Sequence, residues 1–196
     1  MKKLESTWYN MATVLTLISV ISAGALAYVN KQTAPAIQEV KNKQLSDGIK
    51  AVLGADEVVV QKTDTLHDEV KGDAIVYYTD KGTALQTTDA KGFGGKLTVL
   101  VGLGEGGKIL GYEVMETSET PGLGAKADKW FQKDGKGNII GKTGGTLKVT
   151  KDGGEVDAIT ASTITSRAFL RAVNDAANRL SGTMPAEESS INNTKN

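Results

Sequence analysis

Three patterns of apolar and polar positions follow one another along this chain, and each predicts a different kind of element. The first is apolar on every side. From Ser6 to Asn30 no residue is charged, and Met11 to Val29 is almost wholly apolar or small. Those nineteen residues, wound as a helix, rise about 28 Å, close to the hydrocarbon thickness of a bilayer. Trp8 and Tyr9 at one end and Tyr28 at the other stand where interfacial aromatic belts lie. The second pattern has a helical period. Residues 33–54 carry Ile37, Val40, Leu45, Ile49 and Leu53 on one stripe, with Pro35 suited to a helix start and Gly54 to its end. The third pattern is strand-like. Short runs at Val58–Gln61, Ala74–Tyr78, Ala84–Thr87, Leu97–Val101 and Ile109–Met115 are separated by turn formers such as Asp80-Lys81-Gly82.

The helical period then returns. Ala125–Gln132 reads as a short helix around Trp130 and Phe131, and 133–154 as a Gly/Lys/Asp-rich hairpin region with Thr146–Thr150 its clearest strand. From Thr163 to Leu180 the residues Phe169, Leu170, Val173, Ala176, Ala177 and Leu180 make one apolar stripe. Gly182 is expected to end this helix, and the polar tail after it to be disordered. The chain therefore reads as α+β: an N-terminal transmembrane anchor over 1–30, a connecting amphipathic helix over 31–55, one domain over 56–182 and a tail over 183–196.

Lys2 and Lys3 precede the apolar stretch and only Lys31 follows it closely, which puts the N-terminus in the cytoplasm and the domain outside. A cleaved signal peptide is the competing reading, because Ala25-Leu26-Ala27 has the form of a cleavage site. Export holds under both. Ser19, Ala23 and Ala27 share one helix face, where small residues allow close approach of another membrane helix; that alanine and serine are simply common in spans explains them equally.

Composition narrows the chemistry. Positive and negative residues balance at 23 each, which argues against nucleic acid as a partner. With no cysteine there are no disulfides, no thiolate-held iron–sulfur clusters and no thiol nucleophile. The one histidine, His67, sits among polar residues and reads as a surface side chain rather than a metal ligand. Redox chemistry, if present, needs an organic cofactor.

Two glycine motifs fail on context. Gly102-Leu-Gly-Glu-Gly-Gly107 has dinucleotide-type spacing, but it lies between two strand patterns and no helix follows to receive a pyrophosphate. Gly141-Lys142-Thr143 resembles the end of a P-loop, yet position 136 is Lys136 where a glycine is required. With His67 read as a surface side chain, no serine–histidine–acid triad is credible. What stands out instead is Asp157-Ala158-Ile159-Thr160-Ala161-Ser162-Thr163 at the start of the last helix. Hydroxyls and small residues there suit a phosphate, because a helix start offers free N–H groups and a positive dipole end. An ordinary serine or threonine N-cap explains the same residues.

That segment resembles the flavinylation motif Asp-x-x-(Ser/Thr)-Gly-Ala-(Ser/Thr) of the G subunit of the Rnf electron-transport complex and of the NqrC-type subunit of sodium-pumping NADH:quinone reductase. Asp157 and Thr160 match, Thr163 falls on the position that receives FMN, and Ala161-Ser162 replaces the usual Gly-Ala. Gly92-Phe93-Gly94-Gly95 looks like the family's glycine–aromatic–glycine turn, and Glu119-Thr120-Pro121-Gly122-Leu123-Gly124 is similar to its E-T-P-G-L-G loop. These motifs, the Trp130-Phe131 helix and the N-terminal span come in the family's order.

The resemblance implies covalent FMN joined to Thr163 by a phosphoester, attached from FAD by a separate flavin transferase that recognises Asp157, Thr160 and Thr163. It implies flavin contacts from Glu119, Thr120, Gly122, Leu123, Gly124, Thr160 and Ser162. It implies an electron carrier without catalysis of its own, in the bacterial cytoplasmic membrane, partnered by the other Rnf subunits that couple ferredoxin and NAD⁺ to ion translocation. Two alternatives stay open: the NqrC-type subunit, with the same cofactor but quinone as acceptor, and a membrane-anchored binding or assembly module with no redox group.

Overall fold

A computed structural model of the chain describes residues 7–68 and 71–183. Lys2, Lys3 and the tail beyond Thr183 lie outside the described residues. The chain divides into two compact units, Met1–Gln44 and Leu45–Asn196.

The first unit is helical. Helix α1 runs from Trp8 to Leu53, and its N-terminal part is long and apolar enough to cross a membrane. Large apolar side chains from Met11 to Val29 stand exposed around the helix, which does not bury them against its own chain. The hydroxyls of Thr13, Thr16 and Ser19 each donate at 2.8 Å to the carbonyl four residues earlier. They therefore need no water in an apolar medium. The expected start at Pro35 is not observed, because α1 passes through that residue. Proline removes the donor to the carbonyl of Lys31. Lys31 is exposed, so solvent can supply that partner.

The second unit is an α+β domain built on a five-stranded antiparallel meander in the order β1-β2-β3-β4-β5. Its strands are β1 (Val60–Leu66), β2 (Ala74–Thr79), β3 (Thr83–Asp89), β4 (Leu97–Leu103) and β5 (Ile109–Thr117). Two short turns of helix lead to α2 (Ala127–Trp130), and the chain returns in α3 (Thr163–Thr183). Both faces of the sheet are covered, so every residue of β4 is buried. Leu97, Val99, Val101 and Leu103 point to a core shared with Phe169, Val173 and Leu180 of α3. Leu100 points the other way, into a smaller cluster with Ile49 and Val52 from the last turn of α1, Tyr77 and Ala84.

Gly102 and Gly111 sit opposite each other on β4 and β5. A Cβ on Gly102 would overlap the Val52 carbonyl, and one on Gly111 would lie 2.7 Å from it. The first glycine of the dinucleotide-like pattern thus makes room for a helix backbone. Its remaining glycines form the β4–β5 turn.

Two expected strands came out differently. β1 begins at Val60 rather than Val58, because Val58 packs instead beside the Ile49–Val52 cluster. Thr146–Thr150 forms no ladder and makes only a bridge between Val149 and Val156. Leu147 and Val149 are buried, but the side chain of Asn174 in α3 supplies backbone partners. Its amide oxygen accepts from Gly145 and Leu147 N–H at 3.1 and 2.9 Å, and its nitrogen donates to the Leu147 carbonyl at 2.8 Å. Gly182 does not end α3, which includes Thr183.

An aromatic cluster fixes α2 against α3. Phe131 stacks on Phe169 at 4.3 Å, and Tyr112 meets Phe169 edge-on at 4.8 Å. The Tyr112 hydroxyl donates to the Ala127 carbonyl at 2.7 Å and accepts from Phe131 N–H at 3.1 Å. Burial pushes this phenol far above its usual range, so it stays a neutral donor.

Candidate functional site

The site forms where β5 runs out. After Thr117 the chain enters the 119–124 loop, where Leu123 and Ala125 N–H both donate to the Thr120 carbonyl, at 3.2 and 3.3 Å. Gly122 takes a left-handed φ of 77° there, which a side chain would resist. Glu119 is only 7 % exposed. Its Oε2 accepts the Thr165 hydroxyl at 2.9 Å, while its Oε1 has no hydrogen-bond partner.

Bare glycines wall in this carboxylate. A Cβ on Gly92 would lie 2.5 Å from Oε1, and one on Gly124 2.6 Å from Oε2. A Cβ on Gly94 would overlap the Ser118 carbonyl. The glycine turn 92–95, the loop 119–124 and the first turn of α3 therefore meet at Glu119.

The start of α3 is equally constrained. Ser162 N–H donates to the Ile159 carbonyl at 2.9 Å, closing a turn over Thr160 and Ala161. Ala161 has a φ of 62° and is the one non-glycine residue with positive φ among the described residues. A positive φ at the third position of such a turn normally selects glycine. Ser166, fully buried, staples the turn to the helix. Its hydroxyl accepts Ile159 N–H and donates to the Ser162 carbonyl, both at 2.9 Å. The Trp130 indole donates to the Asp157 carbonyl at 2.8 Å. Thr163, half-buried, is the first residue of α3, and its Oγ1 accepts from Lys151 Nζ at 3.2 Å.

Of the residues singled out from sequence, Glu119, Gly124 and Ser162 are buried beneath the site, whereas Thr120, Gly122, Leu123, Asp157 and Thr160 are exposed. Asp157 engages through its carbonyl. His67 is exposed and pairs with Asp73 at 2.8 Å. Thr165 and Ser166 were not singled out, although hydroxyls in phase with the Phe169–Leu170 stripe are a visible signal. Lys151 gave none.

The donor set suits a phosphate joined to a flat apolar body. The Thr163 hydroxyl, Lys151 and the N–H groups of a helix start are groups that can hold an anion. Phe93, Leu123 and Ile164, which are 70, 43 and 50 % exposed, offer apolar surface on the three converging segments. The FMN-binding domain family matches residues 92–178, a range that begins at the glycine turn and ends within α3. Fold and site together define an FMN-binding domain behind an apolar N-terminal helix.

Relatives extend the likeness beyond the domain. The G subunit of the Na(+)-translocating ferredoxin:NAD(+) oxidoreductase complex of Acetobacterium woodii is 31 % identical, covering 88 % of this chain and 93 % of its own. The G subunit of the ion-translocating oxidoreductase complex of Yersinia pestis is 32 % identical over 83 % of this chain and 85 % of its own. That of Vibrio cholerae serotype O1 is 29 % identical over the same shares. The chain belongs to the G-subunit family of ion-translocating oxidoreductase complexes.

Proposed function

We propose that the chain is the electron-carrier subunit of a membrane complex coupling ferredoxin:NAD⁺ electron transfer to ion translocation, with FMN held covalently on Thr163. The observation that carries this reading is the meeting of the three motif segments around Glu119 and the α3 start, with the Thr163 hydroxyl beside a cation. FMN supplies the electron transfer when bound. The chain's own residues hold and shape the place for it. Ser166 and the 159–162 turn set the helix start, Glu119 ties the 119–124 loop to Thr165, and the glycines let backbone approach closely. Phe93, Leu123 and Ile164 offer apolar surface for the ring, and Thr120 a hydroxyl at the rim.

The finer assignments follow from the same reading. A flavin transferase recognises Asp157, Thr160 and Thr163 and uses FAD as donor. The helix around Met11–Val29 spans the bacterial cytoplasmic membrane, with its N-terminus inside and the domain outside. A tether has a physical advantage in that setting, since flavin lost outside the cytoplasm is not easily replaced. The G-subunit relatives favour the ferredoxin-linked complex over the quinone-linked one, and the FMN-binding domain disfavours a module without a redox group.

Thr163→Ala decides the attachment. Expressed with a flavin transferase, the parent chain should show one added FMN by intact mass and flavin fluorescence in a denaturing gel. The variant should show neither while keeping its melting temperature. Flavin that persists on the variant under denaturing conditions overturns the assignment.

A further inference from the structure

The side chain beside Thr163 that lies outside the 157–163 motif is that of Lys151. Lys151 is the middle residue of a helical turn, Thr150–Asp152, and its neighbour Asp152 fixes that turn to α3. Both Asp152 oxygens accept from Arg167, one turn into the helix, at 2.8 and 2.6 Å. This two-pronged pairing is the geometry in which guanidinium binds carboxylate best. It holds the Asp152 carboxyl below its usual range. Arg167 is thereby committed to Asp152, and Lys151 is left facing the Thr163 oxygen at 3.2 Å.

Such a placement is unfavourable without an anion. The N-terminus of a helix is its positive end, where a cation is repelled and a carboxylate is favoured. Helix α3 has no acidic residue in its first turn. Among the described residues no carboxylate pairs with Lys151. Two sources of positive potential therefore converge on one hydroxyl, an arrangement that becomes favourable once a negative group is joined to it.

We propose that Lys151 is the cation that receives the phosphate at Thr163, an inference that rests on Thr163 being the attachment point. In the attachment step Thr163 Oγ forms a bond to the flavin-side phosphorus of FAD and the pyrophosphate P–O bond breaks. AMP leaves with the bridging oxygen, and the hydroxyl proton passes to a base of the transferase or to solvent. No electron is exchanged. Lys151 donates to a non-bridging oxygen of that phosphate during transfer and afterwards to the phosphodiester, which keeps one negative charge. A lysine hydrogen-bonded to Oγ leaves the hydroxyl proton free to depart.

The test uses the full chain in membranes with flavin transferase and FAD, following FMN addition by intact mass over time. Lys151→Gln should slow the addition about tenfold, the factor that one charge-assisted hydrogen bond corresponds to. Lys151→Arg should restore most of the rate. The advantage of the parent over Lys151→Gln should shrink as salt is raised. Melting temperatures should stay together, since Lys151 is exposed. Equal rates for parent and Lys151→Gln, or equal losses in Lys151→Gln and Lys151→Arg, overturn the role of Lys151 and leave Thr163 untouched. No addition to the parent chain overturns the attachment reading itself, and this inference with it.

Discussion

Ala161 carries a cost that the rest of the site absorbs. A left-handed φ disfavours a residue with a Cβ by about 1–2 kcal/mol, while glycine loses roughly 0.5–1 kcal/mol of backbone entropy on ordering. The first effect is the larger, so Ala161→Gly should stabilise the domain by about 0.5 kcal/mol. A thermal melt of the variant should move up by roughly 1–2 °C, and a lower melting temperature would show that the turn is not strained. The resembled motif has glycine at this position, which the turn geometry now explains in physical terms. Lys151, in contrast, was not legible. It is joined to Thr163 by the folding of a loop onto a helix, and nothing in the local pattern around it marks that contact.

At the scale of elements, β4 was legible as a short, nearly continuous apolar run, because both faces of that strand are buried. The strand-like run at 146–150 was misread, since its apolar positions report burial and say nothing about which groups satisfy the backbone. There Asn174 replaces a neighbouring strand. The seat for the end of α1 was also hidden, because Gly102 and Gly111 are nine residues apart and meet only through strand pairing. Gly102→Ala should push the Val52 carbonyl away and cost about 1–3 kcal/mol. Hydrogen exchange at 45–53 should accelerate in that variant, and unchanged protection would remove the seat from the account.

Glu113 belongs to the same contact. It lies against Gly48, and burial, followed by the Asp47 charge, raises its pKa. A carboxyl with a raised folded pKa contributes stability that is fully present below its unfolded value and is lost as pH rises through the folded one. The group is largely solvated, so the effect should stay within about 0.5 kcal/mol. Relative to the parent, Glu113→Gln should gain stability as pH rises from the ordinary glutamate range toward neutrality. A difference that does not vary with pH would refute the placement.

Across the whole molecule, the two compact units correspond to two kinds of pattern that were legible separately: a stretch apolar all round, and a mixed sheet-and-helix region. Their division at Gln44 and Leu45 falls inside a helix rather than at a loop. Pro35 was expected at a helix start because proline usually opens a helix, and an exposed position tolerates it within one.

The Glu119–Thr165 bond bridges residues 46 apart in sequence. An unfolded chain therefore displays the seven residues 157–163 without displaying the site. Flavin loading would then act as a certificate of maturation, stamped only on chains whose last helix has docked. FMN addition in graded urea should fall along the same curve as the folded fraction, provided the transferase keeps its own activity at each concentration. Addition that continues undiminished on unfolded chain would mean that the linear motif suffices and that loading vouches for nothing.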